Sequence, residues 1–592
     1  MSLQEKILHD TPVLRLADNT VYDGGKVQIL RSWDSEEQCL NIVLTNTGSK
    51  PLHVREIVFY SGSAPYAPDT RFYGEGYHML TQYRGSLEHP ELIGAYGTDR
   101  EFFRFPDTPF TQGKWIVYNL MMFFPQGQQT ELVAFGSCNR FMGEFRFTGD
   151  YLELVMDTEC LTLDPGESWR LEELFMETGY DHNRLLSDLA RAIHKNHPRR
   201  EYPEIPTGWC SYYCLRPMTV DGLVEQSRAM AEKIPELKRI QIDGGYEAYD
   251  GDWLVAHPRL GADMKTICRR IFETGMQPAG YISPFLGQVG SALLRDHPDW
   301  FVQDEEGKPF NKIGHKENWY MLDGSNPAAC QYLYDITKVM REEWGIRYFK
   351  LDFLSYGALP GGKRYDPKMT RVQSFRRAIQ AIVEAAGEDS FILGCNAPFW
   401  PILGLCHGNR VTNDIARDWK HVSGNAVELF YRNWQNNRLW YNDPDVVVLE
   451  PIDLSSWRGD QWVDRTSKLT PAEFEFHKAF VVASGGMILS GDLLTQLSEQ
   501  SLNCLKRLIP ATGVAAVFDN DRFEYGWVQL PEKKLLCLFN WEQQSKTLSI
   551  PLEGRYQVSD FWTDEELGQY SDSLSVEMQP HGGRVLVLQE SR

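Results

Sequence analysis

Arg347-Tyr348-Phe349-Lys350-Leu351-Asp352-Phe353-Leu354 reads as a short buried strand that carries a cation and an anion two residues apart. Side chains alternate across a strand, so Lys350 and Asp352 point the same way. A parallel strand covered on both faces is apolar nearly throughout. Two charges on one side must therefore face something polar, or each other. Turn material follows at Gly357 and Pro360-Gly361-Gly362 and places the pair at the strand's C-terminal end. In a (β/α)8 barrel that end carries the chemistry. The competing reading is a structural ion pair that closes a barrel mouth.

Around this strand, residues 205–509 alternate short apolar runs with longer amphipathic segments, the pattern of an α/β barrel. Eight strand candidates end at Thr207-Gly208-Trp209-Cys210, Arg239 to Asp243, Ala279 to Ile282, Tyr348 to Asp352, Phe391 to Cys395, Arg410-Val411-Thr412, Trp440 to Asp443 and Met487 to Ser490. Helical stretches intervene, among them Val220 to Lys233, Ala328 to Trp344, Thr370 to Ala386 and Pro471 to Ala483. Residues 1–180 show short alternating runs separated by turns such as Asn46-Thr47-Gly48 and Asp164-Pro165-Gly166, the pattern of a β-sandwich. The aromatic stretch Arg71 to His78 interrupts it. Its Gly74-Glu75-Gly76 opens no helix of dinucleotide type, so a surface loop is expected, with a loop reaching the next domain as the alternative. Residues 181–204 read as a helical linker, and residues 510–592 as a small antiparallel β domain. The expected fold class is thus multidomain β plus α/β: an N-terminal β-sandwich, a central TIM-type (β/α)8 barrel and a small C-terminal β domain.

A chain of 592 residues is too long for a single core. The net charge of -21 argues against nucleic acid or an anionic membrane as partner. No apolar run approaches the length of a membrane span. Met1 to Asp10 has no apolar signal core, so a cytoplasmic location is expected. The 11 cysteines are scattered and lie mostly in apolar runs, which fits free buried thiols. Cys210 and Cys214 flank Tyr212-Tyr213 with no second Cys/His pair, so no metal is expected. The 17 tryptophans suit a sugar-binding cleft and a large core alike.

The strand ends collect polar and aromatic residues: Trp209; Asp243 followed by Gly244-Gly245-Tyr246-Glu247; Trp253; Lys350 and Asp352; Cys395-Asn396; Arg410 and Asp414; Asn442-Asp443. No histidine lies among them, and no Gly-rich phosphate loop appears in the last two βα connections. A pocket with two or more acids, aromatic walls and no cofactor suits glycoside chemistry. Each member also has a plainer reading. Asp243 and Asp443 would serve as turn or helix caps, Asp414 as an N-cap, Arg410 as a surface residue and Trp253 as core.

At these residues the chain resembles glycoside hydrolase family 36, the α-galactosidases of the melibiase clan. The matching pieces are Gly208 to Ser211, Ile242-Asp243 through Glu247, Gly251-Asp252-Trp253, Tyr348 to Leu354, Phe391 to Pro398, Arg410-Val411 with Asp414, and Trp440 to Asp445. They follow the family's order through the whole barrel. The resemblance implies that Asp352 is the nucleophile and Asp414 the general acid and base of a retaining reaction. It implies that Lys350 and Arg410 bind sugar hydroxyls, that Asp243 grips the sugar, that Trp209 and Trp253 form walls, and that Cys395-Asn396 lies near the sugar's 2-position. No metal or organic cofactor is implied. The implied partner is a small α-linked oligosaccharide, and a homo-oligomer is compatible with it.

One departure concerns the sugar. Family members commonly carry two adjacent aspartates after the second strand, which grip the 4- and 6-hydroxyls; here the pair is Asp243-Gly244. A lost charged hydrogen bond is worth on the order of 1.5–3 kcal/mol, enough to move sugar preference by one to two decades. An α-N-acetylgalactosaminidase, a glycosidase for another α-linked sugar or a galactosyl transferase of raffinose-synthase type therefore stands beside α-galactosidase. Outside this class stand a non-catalytic sugar-binding protein and a Schiff-base enzyme using Lys350.

Overall fold

The structure, a computed structural model, describes residues 2–22, 24–452, 455–458, 461–464 and 466–590. Eight parallel strands form one sheet: β1 (Thr207–Cys210), β2 (Arg239–Gln241), β3 (Gln277–Ile282), β4 (Tyr348–Leu351), β5 (Phe391–Gly394), β6 (Gly408–Arg410), β7 (Tyr441–Asp443) and β8 (Ile488–Ser490). Their order is β8-β1-β2-β3-β4-β5-β6-β7. The ends of this sheet meet through backbone bonds beyond the strands themselves. Met487 N donates to Asn442 O at 2.9 Å, Val447 N to Leu489 O at 2.7 Å and Gly491 N to Val447 O at 2.9 Å. The barrel is therefore nearly closed, with β4 wholly buried between β3 and β5.

The crossover helices begin where the sequence supplies caps. Thr370 with Gln373 and Thr470 with Glu473 make reciprocal capping boxes at the starts of Arg371–Ala386 and Pro471–Ser484. Strand β6 begins two residues before its expected start, at Gly408, and ends at Arg410. Gly408-Asn409 has poor strand propensity, but a Cβ at Gly408 would stand 2.8 Å from the Phe391 ring and 2.9 Å from the Met487 sulfur. Close packing inside the barrel outweighs propensity there.

Ahead of the barrel, a five-stranded and a nine-stranded antiparallel sheet face each other. Phe59 meets Phe135 edge-on at 6.0 Å and Phe72 meets Phe147 at 5.0 Å, one ring from each sheet. The stretch Arg71 to His78 is a correction to the surface loop expected from sequence. Arg71–Glu75 is a strand, and Tyr73, Glu75, Tyr77 and His78 are buried. Glu75 takes the guanidinium of Arg432 at 2.8 Å, both side chains fully buried, while Tyr73 stacks on Tyr431 at 4.6 Å. Tyr77 donates its hydroxyl to Ser355 O at 3.2 Å. Gly74 and Gly76 are there for close approach: a Cβ would fall 2.5 Å from Val117 and 2.0 Å from Thr81. This stretch docks the sandwich on the barrel.

A six-stranded antiparallel sheet, Val517 to Glu590, follows the barrel and has its own apolar cluster around Leu536, Ile550, Val558 and Leu586. It leans on the barrel where Trp419 stacks on His581 at 3.9 Å and Phe476 meets Phe539 at 5.0 Å. All 11 cysteines are free thiols, and only Cys160 is partly exposed. Among the described residues no helix is long and apolar enough to cross a membrane.

Candidate active site

The alternation of β4 delivers Lys350 and Asp352 to the barrel mouth together. Lys350 Nζ lies 2.9 Å from Asp243 Oδ2 and 3.6 Å from Asp352 Oδ2. Asp243 follows β2. Its Oδ2 also accepts from Gln241 Nε2 at 2.8 Å and Cys210 Sγ at 3.4 Å, and its Oδ1 from Gly244 N at 2.9 Å. Burial pushes the Asp243 carboxyl up, but Lys350 and these hydrogen bonds outweigh it and hold the group below the ordinary carboxylate range. Burial likewise opposes charge on Lys350, and Asp243 more than compensates. The pair is a true buried ion pair, not a solvated one.

Asp352 is clamped on one oxygen. Its Oδ1 accepts from Asn396 Nδ2 and from Phe353 N, each at 2.7 Å, which leaves Oδ2 toward Lys350. Phe353 and Asn396, just past β4 and β5, both sit in the left-handed region at φ 47° and 49°. Non-glycine residues in that region persist where their surroundings over-determine them, often at functional sites.

Beyond β6, Arg410 Nη2 lies 3.0 Å from Asp414 Oδ1 and 2.5 Å from Asp445 Oδ2. The Arg410 side chain is 2% exposed, whereas that of Asp414 is 50% exposed. Burial pushes the Cys395 thiol up, Asp352 and Asp414 add to that, and Lys350 and Arg410 oppose it. One thiol thus feels the carboxyls from past β4 and past β6 and both cations. The Asp352 side chain is anchored and 10% exposed, whereas Asp414 is half open to solvent.

The remaining sequence candidates fall into place unevenly. Trp209 and Trp253 have no exposed surface; Trp209 Nε1 donates to Asp492 O at 2.7 Å. Asp443 accepts from Asp445 N at 2.9 Å, in keeping with its reading as a turn residue. Glu247 takes Gly245 N on both oxygens, at 3.0 and 2.9 Å, and burial pushes it up to about 7. Sequence reasoning singled out neither Tyr213, Tyr281 nor Asp445. Tyr281 lies on β3 beside Lys350, and its hydroxyl is 2.9 Å from Ser283 Oγ. Its signal was a lone tyrosine at a strand's C-terminal end. Among the described residues no cluster of three or more His, Cys, Asp or Glu could hold a metal ion.

Residues 245–383 match the model of the Melibiase family, so the resemblance to the melibiase clan stands over the barrel's central segment. A bifunctional α-galactosidase/sucrose kinase from Mediterraneibacter gnavus is 23% identical over 230 residues, 36% of this chain and 24% of that protein. An A type blood α-D-galactosamine galactosaminidase from Flavonifractor plautii is 24% identical over 258 residues, 38% of this chain and 23% of that protein. The chain thus spans about a quarter of the length of these relatives. An α-galactosidase from Thermus thermophilus, solved with p-nitrophenyl α-D-galactopyranoside, superposes with a TM-score of 0.62 at 23% identity, covering 85% of this chain and 98% of that one. That likeness is one of fold.

Proposed function

We propose that this chain, a melibiase-clan protein by its central segment, is a retaining α-glycoside hydrolase that releases terminal α-linked galactose from small oligosaccharides. Asp352 Oδ2 attacks the anomeric carbon as the bond to the leaving oxygen breaks, and Asp414 gives that oxygen its proton. The product of this step is a β-glycosyl ester of Asp352. Asp414 then takes a proton from water, which attacks the same carbon, frees Asp352 and restores the α configuration.

The observation that carries the reading is the contrast between the two carboxyl side chains, 10% exposed for Asp352 and 50% for Asp414. A nucleophile belongs at the pocket's floor beside its cations, and a proton donor at the rim where the aglycone leaves. Lys350, Asp243 and Arg410 offer charged hydrogen-bond partners for sugar hydroxyls, and Cys395-Asn396 would lie at the sugar's 2-position.

A second reading of the sugar has support in Gly244. A Cβ there would meet the Tyr281 ring at 2.9–3.1 Å. A neutral phenol therefore fills the space beside Asp243 where relatives place a second carboxylate. This favours an α-linked sugar that differs from galactose at the 4- to 6-side, while the mechanism is unchanged.

A panel of nitrophenyl glycosides tests both: α-D-galactopyranoside, N-acetyl-α-D-galactosaminide, α-D-glucopyranoside and β-L-arabinopyranoside, the last having galactose's ring configuration without C6. Turnover of none contradicts the hydrolase reading. If the galactoside is the poorest of them, the galactose assignment fails and the hydrolase reading survives. Product analysis at high acceptor concentration separates hydrolysis from transfer.

A further inference from the structure

Asp445 lies two residues past β7 and is 4% exposed. Its Oδ2 accepts three short hydrogen bonds: Arg410 Nη2 at 2.5 Å, the Tyr213 hydroxyl at 2.5 Å and Ile415 N at 2.6 Å. Burial pushes the Asp445 carboxyl up and Arg410 and the Tyr213 hydroxyl oppose that, and three donors on one oxygen favour the carboxylate form. Ile415 adjoins Asp414, so one of these bonds fixes the backbone beside the proposed acid. Another holds the guanidinium nitrogen that lies 3.0 Å from Asp414 Oδ1.

The geometry poses an electrostatic problem for a proton donor. An arginine in contact with a carboxyl favours its ionised form, commonly by one to three pH units, and a general acid must hold its proton until the substrate is bound. Asp445 resolves this from behind. Its negative charge balances Arg410 from the buried side and repels charge on Asp414.

We infer that Asp445 is a positioning residue that balances the charge Arg410 presents to Asp414 and pins the 413–415 turn. This rests on the hydrolase reading above and adds to it a residue that never touches substrate. Other groups around the pair are Asp443 on β7, Tyr213 past β1, Cys395 past β5, Glu428 on helix Trp419–Arg432 behind Asn413, and Tyr96 from the N-terminal sandwich. Among the described residues only Asp445 and Asp414 make ion pairs with Arg410.

The test is the pH profile of Asp445→Asn in the full chain. Asp445 has φ 73°, a conformation asparagine adopts readily, and a carboxamide oxygen still accepts from Tyr213 and Ile415. The alkaline limb of kcat/KM is expected to move to lower pH by about one unit. The rate on a disaccharide, whose leaving oxygen needs a proton, should fall at least 10-fold more than that on a dinitrophenyl glycoside, which needs none. An unmoved limb with equal losses on both substrates overturns the inference and leaves Asp445 a structural residue. If Asp445→Asn melts below the assay temperature, Tyr213→Phe replaces it. It removes one donor that stabilises the Asp445 anion, and the limb should move the same way by a smaller amount; an unmoved limb overturns the inference there too. A wild-type chain inactive on every glycoside would instead count against the hydrolase reading itself.

Discussion

A Cβ added to Gly244 would stand 2.9 Å from Tyr281 Cζ, closer than packed carbons approach. The two residues therefore specify each other. A carboxylate at 244 needs a smaller residue at 281, and a tyrosine at 281 needs glycine at 244. Gly244→Asp alone is expected to lower kcat/KM on every substrate of the panel. Gly244→Asp combined with Tyr281→Ala should exceed Tyr281→Ala alone by about 10-fold or more on the α-D-galactopyranoside, the worth of one charged hydrogen bond. Steady-state kinetics of the three variants check this.

Removing the proton donor should depend on the leaving group. Asp414→Asn is expected to slow hydrolysis of a disaccharide by about 10²–10⁴-fold, and that of a dinitrophenyl glycoside far less. Measured rates on both substrates decide it. Equal losses would mean that Asp414 is not the acid.

The sandwich and the barrel should be coupled through Glu75 and Arg432. Glu75 also accepts from Gln435 Nε2 at 3.1 Å and Tyr73 OH at 2.9 Å, and Arg432 Nη1 donates to Val411 O at 2.7 Å, directly after β6. Leaving one member of a fully buried pair alone typically costs about 3–5 kcal/mol. Glu75→Gln should lower the urea midpoint accordingly. Because Val411 adjoins Arg410, the same variant should also lose activity at temperatures where it remains folded.

Two buried glutamates should contribute stability that is lost as pH rises from about 4.5 to about 7. Burial pushes Glu428 and Glu247 up to about 7 from their ordinary value of 4.5. In that window these two carboxyls keep protons in the folded chain that they have released in the unfolded one, so added base erodes their contribution. Below the window both states are protonated, and above it both are ionised. Glu428→Gln keeps an acceptor for Asn413 N, bonded at 2.6 Å, and removes one of the two groups. From pH 5 to pH 8 its Tm relative to wild type should move upward. An unchanged difference would contradict this role of Glu428.

The barrel was legible because β4 combines complete burial with two charges in alternation, and because turn and cap residues such as Thr370 and Thr470 mark the elements around it. The candidate residues Asp243, Lys350, Asp352, Asn396, Arg410 and Asp414 were read from the polar ends of strands. What stayed hidden depends on contacts between distant segments. Glycines at 74 and 76 look like loop residues, yet they mark close packing against Val117 and Thr81. Trp209 and Trp253 have the composition of a sugar platform, and only coordinates reveal that both are enclosed. Asp445 lies beside Asp443 in sequence, but its role comes from a left-handed turn that aims it at Arg410 and Tyr213.

The account turns on which oxygen bonds to the sugar. An activated 2-deoxy-2-fluoro-α-galactosyl fluoride, whose slow turnover lets a glycosyl ester accumulate, should label the chain once, and peptide mass mapping should place the adduct on Asp352. An adduct on any other residue, or inverting turnover of substrate with no adduct at all, would contradict it.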